Sequence, residues 1–507
     1  MSLISFQYLF FIIALAVVYY LIPGKLQKYA LLIADYIFMY MCGGVKTVVF
    51  MLITSISVFA GARIIASRRE NKNIGKLVFS VVFLMNIAFL ICFKYINFFI
   101  NSANQISGLF EGTQFDAITF IAPFGISFYT LTILGYLIDV FWEKYDPEKD
   151  FVKFMVFCSF FPQLTSGPIT RYSEMEKEFS TIHRFDLKRA EYASQRILWG
   201  FFKKLVISER AATLVNTIYA DYETYSGLYI IFGTMMFALQ LYTDFSGCMD
   251  IVIGTAELLG IKLPENFTTP FYSETESEFW RRWHITLGAW FKDYLLYTLL
   301  KTELFIKIGD RAKALFGKKE GKKVPTYFGL FVLWFTVGFW HGGLWKYIVG
   351  SGLIHCFYMI ISMIFEKRFK KVNEFFGFNT ECFSFRMFRR VRTAILVCTG
   401  FMFFRADSFG IAIDMYRHIG TWNKNIIAVG GIVGLGLEYN DLIVLMFGIL
   451  LLFLVSYLQQ NVMVRDLIAK QNLPFRWICY ISLFIFVIVY GQYGPGYNAS
   501  SFIYQNF

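Results

Sequence analysis

Five histidines occur in 507 residues, and two of them stand in the richest aromatic stretches of the chain. His341 follows Phe339-Trp340 and precedes Gly342-Gly343, at the break between two apolar arms, 327–340 and 344–365. His284 ends the run Glu276-Ser277-Glu278-Phe279-Trp280-Arg281-Arg282-Trp283-His284. An imidazole with an ordinary pKa of about 6.5 can take a proton from a hydroxyl near neutral pH, which is general-base chemistry. Asp244 and Ser246, in Tyr242-Thr243-Asp244-Phe245-Ser246-Gly247, are polar groups beside an apolar run. They either pin packed helices by hydrogen bonds or line a polar route. His183 and His418 read as surface, and His355 as structural.

These residues must be held by membrane helices. The composition is 57% hydrophobic and 20% aromatic with mean hydropathy +0.52, which excludes an ordinary soluble globule. The predicted fold class is an all-α polytopic membrane protein. The net charge of +12 is spread over short segments between apolar runs, a pattern that orients spans and meets lipid phosphates and does not bind nucleic acid. Eight cysteines lack C-x-x-C spacing and mostly sit inside apolar runs, so neither a disulfide framework nor a metal site is expected. Nucleotide-loop, H-E-x-x-H and G-x-S-x-G motifs are absent, and no bound cofactor is expected.

Spans are predicted at about 4–22, 29–43, 47–66, 77–100, 117–142, 194–219, 227–245, 392–404, 441–457 and 476–491, besides the hairpin that carries His341. Lys318, Lys319, Lys322 and Lys323 precede that hairpin, and Lys367, Arg368, Lys370 and Lys371 follow it. The positive-inside rule places both its ends in the cytoplasm and the N-terminus of the chain outside. The arm 327–340 would rise about 21 Å as a helix, short of a hydrocarbon core of about 30 Å, which leaves His341 within the membrane toward the far side. A titratable ring at that depth marks a pathway, or else hydrogen-bonds across packed helices.

Around His284 the spacing predicts one helix on which Trp280, His284 and Leu287 share a face, with Trp283 and Trp290 beside it. That helix would give His284 an aromatic wall and set Arg281 and Arg282 as a basic patch near the cytoplasm. An interfacial aromatic belt with snorkelling arginines has the same pattern. Pro123-Phe124-Gly125 predicts a kink inside the fifth span, and 162–172 a re-entrant or interfacial turn. Residues 301–323 read as a basic cytoplasmic loop, and the aromatic tail from Gly494 to Phe507 as docked at the outer interface. No repeat or soluble domain is evident. The chain reads as one membrane-embedded domain, with peripheral spans in 1–115, a catalytic core in 116–430 and C-terminal spans in 431–507.

At this point the sequence resembles the membrane-bound O-acyltransferase family, most closely its bacterial branch typified by the membrane protein of alginate O-acetylation. The resemblance is carried by Pro123-Phe124-Gly125-Ile126-Ser127-Phe128-Tyr129, Phe161-Pro162-Gln163 with Gly167-Pro168-Ile169, Asp244-Phe245-Ser246-Gly247 and Leu263-Pro264-Glu265-Asn266-Phe267. It continues through Phe279-Trp280-Arg281-Arg282-Trp283-His284-Ile285-Thr286-Leu287, Phe339-Trp340-His341-Gly342, Phe404-Arg405-Ala406 and Phe502-Ile503-Tyr504. Gly343, Lys346 and the ending Gln505-Asn506-Phe507 depart from the family pattern.

The resemblance implies a multi-helix bundle with a transmembrane tunnel, catalysis by His341, and His284 lining the same site. With it come expected substrate contacts from Trp280, Arg281, Arg282, Trp283, Trp340, Asp244 and Ser246. It further implies acetyl-CoA as acyl donor, an extracytoplasmic esterase-like partner, contact with membrane lipids and a place in the bacterial cell membrane. The acceptor would be an extracytoplasmic polysaccharide or cell-wall glycan. Two other activities share these features. One is D-alanyl transfer from a carrier protein to teichoic acid, and the other is secondary transport, whose broken helices and embedded polar groups look alike in sequence.

Overall fold

The computed structural model describes residues 1–108, 112–118, 120, 122–164, 166–421, 423, 425–427, 431–494 and 502–503. Among them, six helices are long and apolar enough to cross a membrane: Gly24–Ser67, Lys72–Gly108, Leu228–Leu258, Trp345–Phe375, Tyr439–Leu458 and Leu473–Tyr490. Shorter apolar helices span Phe6–Leu21, Ile126–Phe141, Phe151–Leu164 and Val324–Trp340. Backbone groups in hydrocarbon must bond within their own segment, so these runs of Leu, Ile, Val and Phe have little choice but to be helical. The protein is a multi-pass helical membrane protein.

The helices fall into two compact units. The first comprises residues 1–200 and 248–265. In it, the two spans expected at 29–43 and 47–66 are one helix, Gln27–Ser67, bent where Gly44 takes φ +66°. The fifth span is shorter than expected. Its helix starts at Ile126, after a left-handed Gly125, so the proline and glycine begin the helix and do not kink it. A Cβ on Gly125 would lie 2.4 Å from the Leu164 carbonyl oxygen, so glycine is also demanded by close packing. The turn 162–172 is held from within, because Gln163 Nε2 donates to the Pro168 carbonyl at 3.1 Å and to Thr170 Oγ1 at 2.9 Å. Thr165 of that turn lies outside the described residues. Buried Asp35 accepts from the Phe161 N–H at 2.8 Å and from Ser159 Oγ at 3.2 Å, which fixes the end of the Phe151–Ser159 helix.

The second unit comprises residues 201–247 and 266–503 and carries every predicted site residue. Its organising element is the expected hairpin, in which the Val324–Trp340 helix turns at 341–344 and returns as Trp345–Ile348, a π-helical turn Val349–Leu353 and Ile354–Phe375. The arms touch through glycines. A Cβ on Gly338 would sit 2.6 Å from Ile348 Cα, and one on Gly352 would sit 2.4 Å from the Trp334 carbonyl oxygen.

Three expectations are corrected here. The run after residue 242 does not end a helix, because Leu228–Leu258 continues unbroken through Asp244 and Asp250; polar groups that bond inward need not break a helix. The supposed loop 301–323 contains a helix, Glu303–Gly321, whose charges face outward. The span placed at 392–404 begins at Phe383, with four arginines in its first turns. Of the tail, Phe502 and Ile503 are described, and the rest of its expected docking, 495–501 and 504–507, lies outside the described residues.

Candidate active site

His341 caps the C-terminal end of the Val324–Trp340 helix. Its backbone N–H still bonds to the Val337 carbonyl at 3.3 Å, and Gly343, at φ +61°, turns the chain. The ring is 4% exposed and packs edge-on against Trp340 at 5.3 Å and Phe404 at 5.7 Å. Phe404 comes from the last turn of the Phe383–Arg405 helix.

His284 does not lie on a continuous helix. The Glu276–Arg282 helix stops, Trp283 is extended, and His284 adopts φ +46°, ψ +52° before Ile285–Phe291 begins. The left-handed conformation costs roughly 1–2 kcal/mol for a side chain other than glycine, although histidine is among the types that tolerate it. Asn266 holds this break. Its side-chain oxygen accepts from the Thr286 N–H and the Thr286 hydroxyl, each at 3.0 Å, and lies 3.4 Å from His284 Nδ1. Its backbone carbonyl accepts from the Ile285 N–H at 3.1 Å, and the neighbouring Phe267 bridges to Trp283 as a strand pair would.

The aromatic wall of His284 is therefore not the predicted one. It consists of Phe245, edge-on at 4.8 Å, and Trp340 at 6.2 Å. Trp340 thus touches both histidine rings, and the two imidazoles share one buried apolar pocket in this unit. His284 lies outside the candidate spans, and burial holds its imidazole well below the ordinary histidine range, with His341 a second cause. A ring that burial keeps neutral has one nitrogen free of a proton and able to accept a hydrogen bond.

The other predicted contacts divide. Trp283 is buried in packing, stacked on Phe279 at 5.5 Å and edge-on to Phe267 at 5.0 Å. Trp280 turns away from His284 toward His355 at 4.6 Å and Trp334 at 5.1 Å, because the break at 284 removes the face the two residues were expected to share. Arg282 pairs with Glu278 at 2.6 Å, whereas Arg281 is exposed and donates to Ser277 Oγ at 3.0 Å.

Asp244 and Ser246 flank Phe245 but bond elsewhere. Lys204 Nζ lies 2.6 Å from both Asp244 Oδ1 and Glu209 Oε1, and the Ile503 N–H donates to Asp244 Oδ2 at 2.8 Å. Lys203 Nζ donates to Ser246 Oγ at 2.9 Å. Two consecutive lysines point inward because Phe202–Ser208 is a π-helical turn, which seats an extra residue on the buried side. Of the two roles open to Asp244 and Ser246, this geometry fits pinning.

The sequence reading missed Asn266 and Thr286 as site residues; the signal was the polar Asn266 in a short turn before the Trp-Arg-Arg-Trp-His run. Asn266→Ala removes the oxygen that accepts from the Thr286 N–H and hydroxyl and lies beside His284 Nδ1. It is expected to cost about 1–3 kcal/mol of stability and to lower turnover about tenfold by displacing His284. Thermal midpoints in detergent and turnover by the same preparation check both.

Two buried imidazoles thus pack around one tryptophan in a polytopic helical protein. The family model for membrane-bound O-acyltransferases matches residues 144–306. The chain is 30% identical to a probable alginate O-acetylase of Pseudomonas aeruginosa over 82% of its own length and 75% of that protein. It is also 30% identical to a peptidoglycan O-acetyltransferase of Helicobacter pylori, over 54% of this chain and 52% of the relative. A teichoic acid D-alanyltransferase of Bacillus subtilis is 30% identical over 43% of this chain and 53% of that protein. The chain belongs to the membrane-bound O-acyltransferase family, and the protein is a membrane O-acyltransferase.

Proposed function

We propose that the protein moves an acetyl group from cytoplasmic acetyl-CoA to a hydroxyl of an extracytoplasmic polysaccharide or cell-wall glycan, in a bacterial inner membrane and through an extracytoplasmic esterase-like partner. The observation that carries this reading is the pair of buried imidazoles, His284 and His341, that share Trp340. The relatives named as O-acetylases, which are matched over most of this chain, favour acetyl over D-alanyl.

In this reading His341 takes the proton of the accepting hydroxyl as its oxygen attacks the thioester carbonyl. The C–O bond forms, the C–S bond breaks, and the proton passes to the departing thiolate, so the imidazole is restored. His284 orients or polarises the thioester. Exposed Arg281, with Arg282 beside it, meets the phosphates of the donor. The catalytic core is residues 116–430, the N-terminus lies outside, and membrane lipids surround the exposed apolar helices.

Purified protein in proteoliposomes, given radiolabelled acetyl-CoA on the Lys/Arg-rich side, tests the proposal. Release of free CoA together with labelled acceptor or partner protein is the expected result. Turnover only with a D-alanyl carrier protein would reassign the donor, and solute flux without CoA release would overturn the proposal.

A further inference from the structure

A buried histidine–glutamate pair lies in the same unit and takes no part in the proposed chemistry. His355 Nδ1 donates to Glu276 Oε1 at 2.5 Å, and that oxygen also accepts from Trp280 Nε1 at 3.1 Å. Both residues are buried, His355 wholly so. The Trp280 ring stands edge-on to His355 at 4.6 Å and to Trp334 at 5.1 Å. Trp334 precedes Trp340 by six residues on one helix, about 9 Å along its axis. The polar cluster is thus one step along the helix from the pocket of His284 and His341.

We infer that Glu276 and His355 form a positioning pair that sets the two candidate catalytic histidines in register, an inference that rests on the function proposed above. Each helix that meets at His355 also delivers a group to the pocket. Glu276 opens the short helix that leads, through Trp283, into His284. His355 lies on the return arm of the hairpin whose turn carries His341, and Trp334 lies on the outgoing arm. The third neighbour is the Phe383–Arg405 helix, which reaches the ring backbone-first: a Cβ on Gly400 would be 2.4 Å from His355 Nε2. One turn beyond Gly400, that helix presents Phe404 to His341.

A leucine or phenylalanine pair could fill this space, but apolar contacts tolerate sliding. The Nδ1–Oε1–Nε1 set is directional and admits one arrangement of helix against hairpin. Buried polar pairs add little net stability compared with apolar replacements of similar size, so geometric selection is what this one supplies.

The test compares two variants with the wild-type protein in proteoliposomes, reading kcat, KM for the acyl donor and thermal midpoint. Glu276→Gln with His355→Leu keeps an acceptor for Trp280 but removes the hydrogen bond to the ring. It is expected to fold with a thermal midpoint near wild type, while kcat falls about 10- to 100-fold and KM stays unchanged. His355→Asn restores an N–H at the Nδ1 position and is expected to keep most of the turnover. Wild-type kcat in the double variant overturns the inference, as does loss of kcat in His355→Asn equal to that of the double variant. A double variant that no longer folds also overturns it, because the pair would then be a requirement of the fold. Absence of turnover in the wild-type protein strikes the proposed function itself, and the two failures are distinct.

Discussion

Replacing His341 with alanine is expected to lower acyl transfer by about 10²–10⁴-fold, the range general-base catalysis supplies, with protein yield and monodispersity unchanged. The ring is the candidate proton acceptor, and the aromatic rings that pack against it, Trp340 and Phe404, cannot take that proton. The variant should still fold. Alanine preserves the backbone bond to Val337, and the turn beyond is set by Gly343. Turnover of acetyl-CoA by matched wild-type and variant proteoliposomes is the measurement. Activity within a few-fold of wild type in the variant would remove His341 from the chemistry.

The largest effect on stability is expected at Lys204. Its ammonium is buried between Asp244 and Glu209, and Phe502 lies over it at 5.0 Å. Lys204→Met strands two carboxylates away from water, a loss of about 3–5 kcal/mol for a broken buried pair. It also removes the charge that keeps Asp244 poised for the Ile503 N–H, so the described end of the tail should come loose. Neutralising all three at once, as Lys204→Met with Asp244→Asn and Glu209→Gln, should recover most of the loss, because the penalty comes from uncompensated charge. Thermal midpoints in detergent, with protease sensitivity near the C-terminus, separate the cases. A single Lys204→Met variant as stable as wild type would show that the carboxylates find water.

Much of this was legible in the sequence. Long apolar runs marked most of the apolar helices, although the expected spans 194–219 and 392–404 are not among those long and apolar enough to cross a membrane. Gly342-Gly343 between basic flanks marked the hairpin with His341 at its turn. What failed was local. Nothing in the spacing from Glu276 to Trp290 says that the helix breaks at His284, because that break is enforced from Asn266, eighteen residues upstream. The expected face of Trp280 with His284 disappeared with it. At Lys203 and Lys204 a π-helical turn lets both side chains face inward, and no 3.6-residue pattern reveals that. His355 read as structural, and its bond to Glu276 was not legible because the two residues are 79 apart in the chain.

The left-handed backbone at His284 also bears on how this position can drift. Main-chain geometry admits glycine, asparagine, aspartate and few others, while the proposed chemistry asks for a neutral aromatic base of one size. Two independent filters therefore act on a single codon, and very few side chains pass both. Change in acceptor preference has an easier path through the walls of the pocket, at Phe245, Trp340 or Phe404, where ordinary helical backbone sets no such restriction.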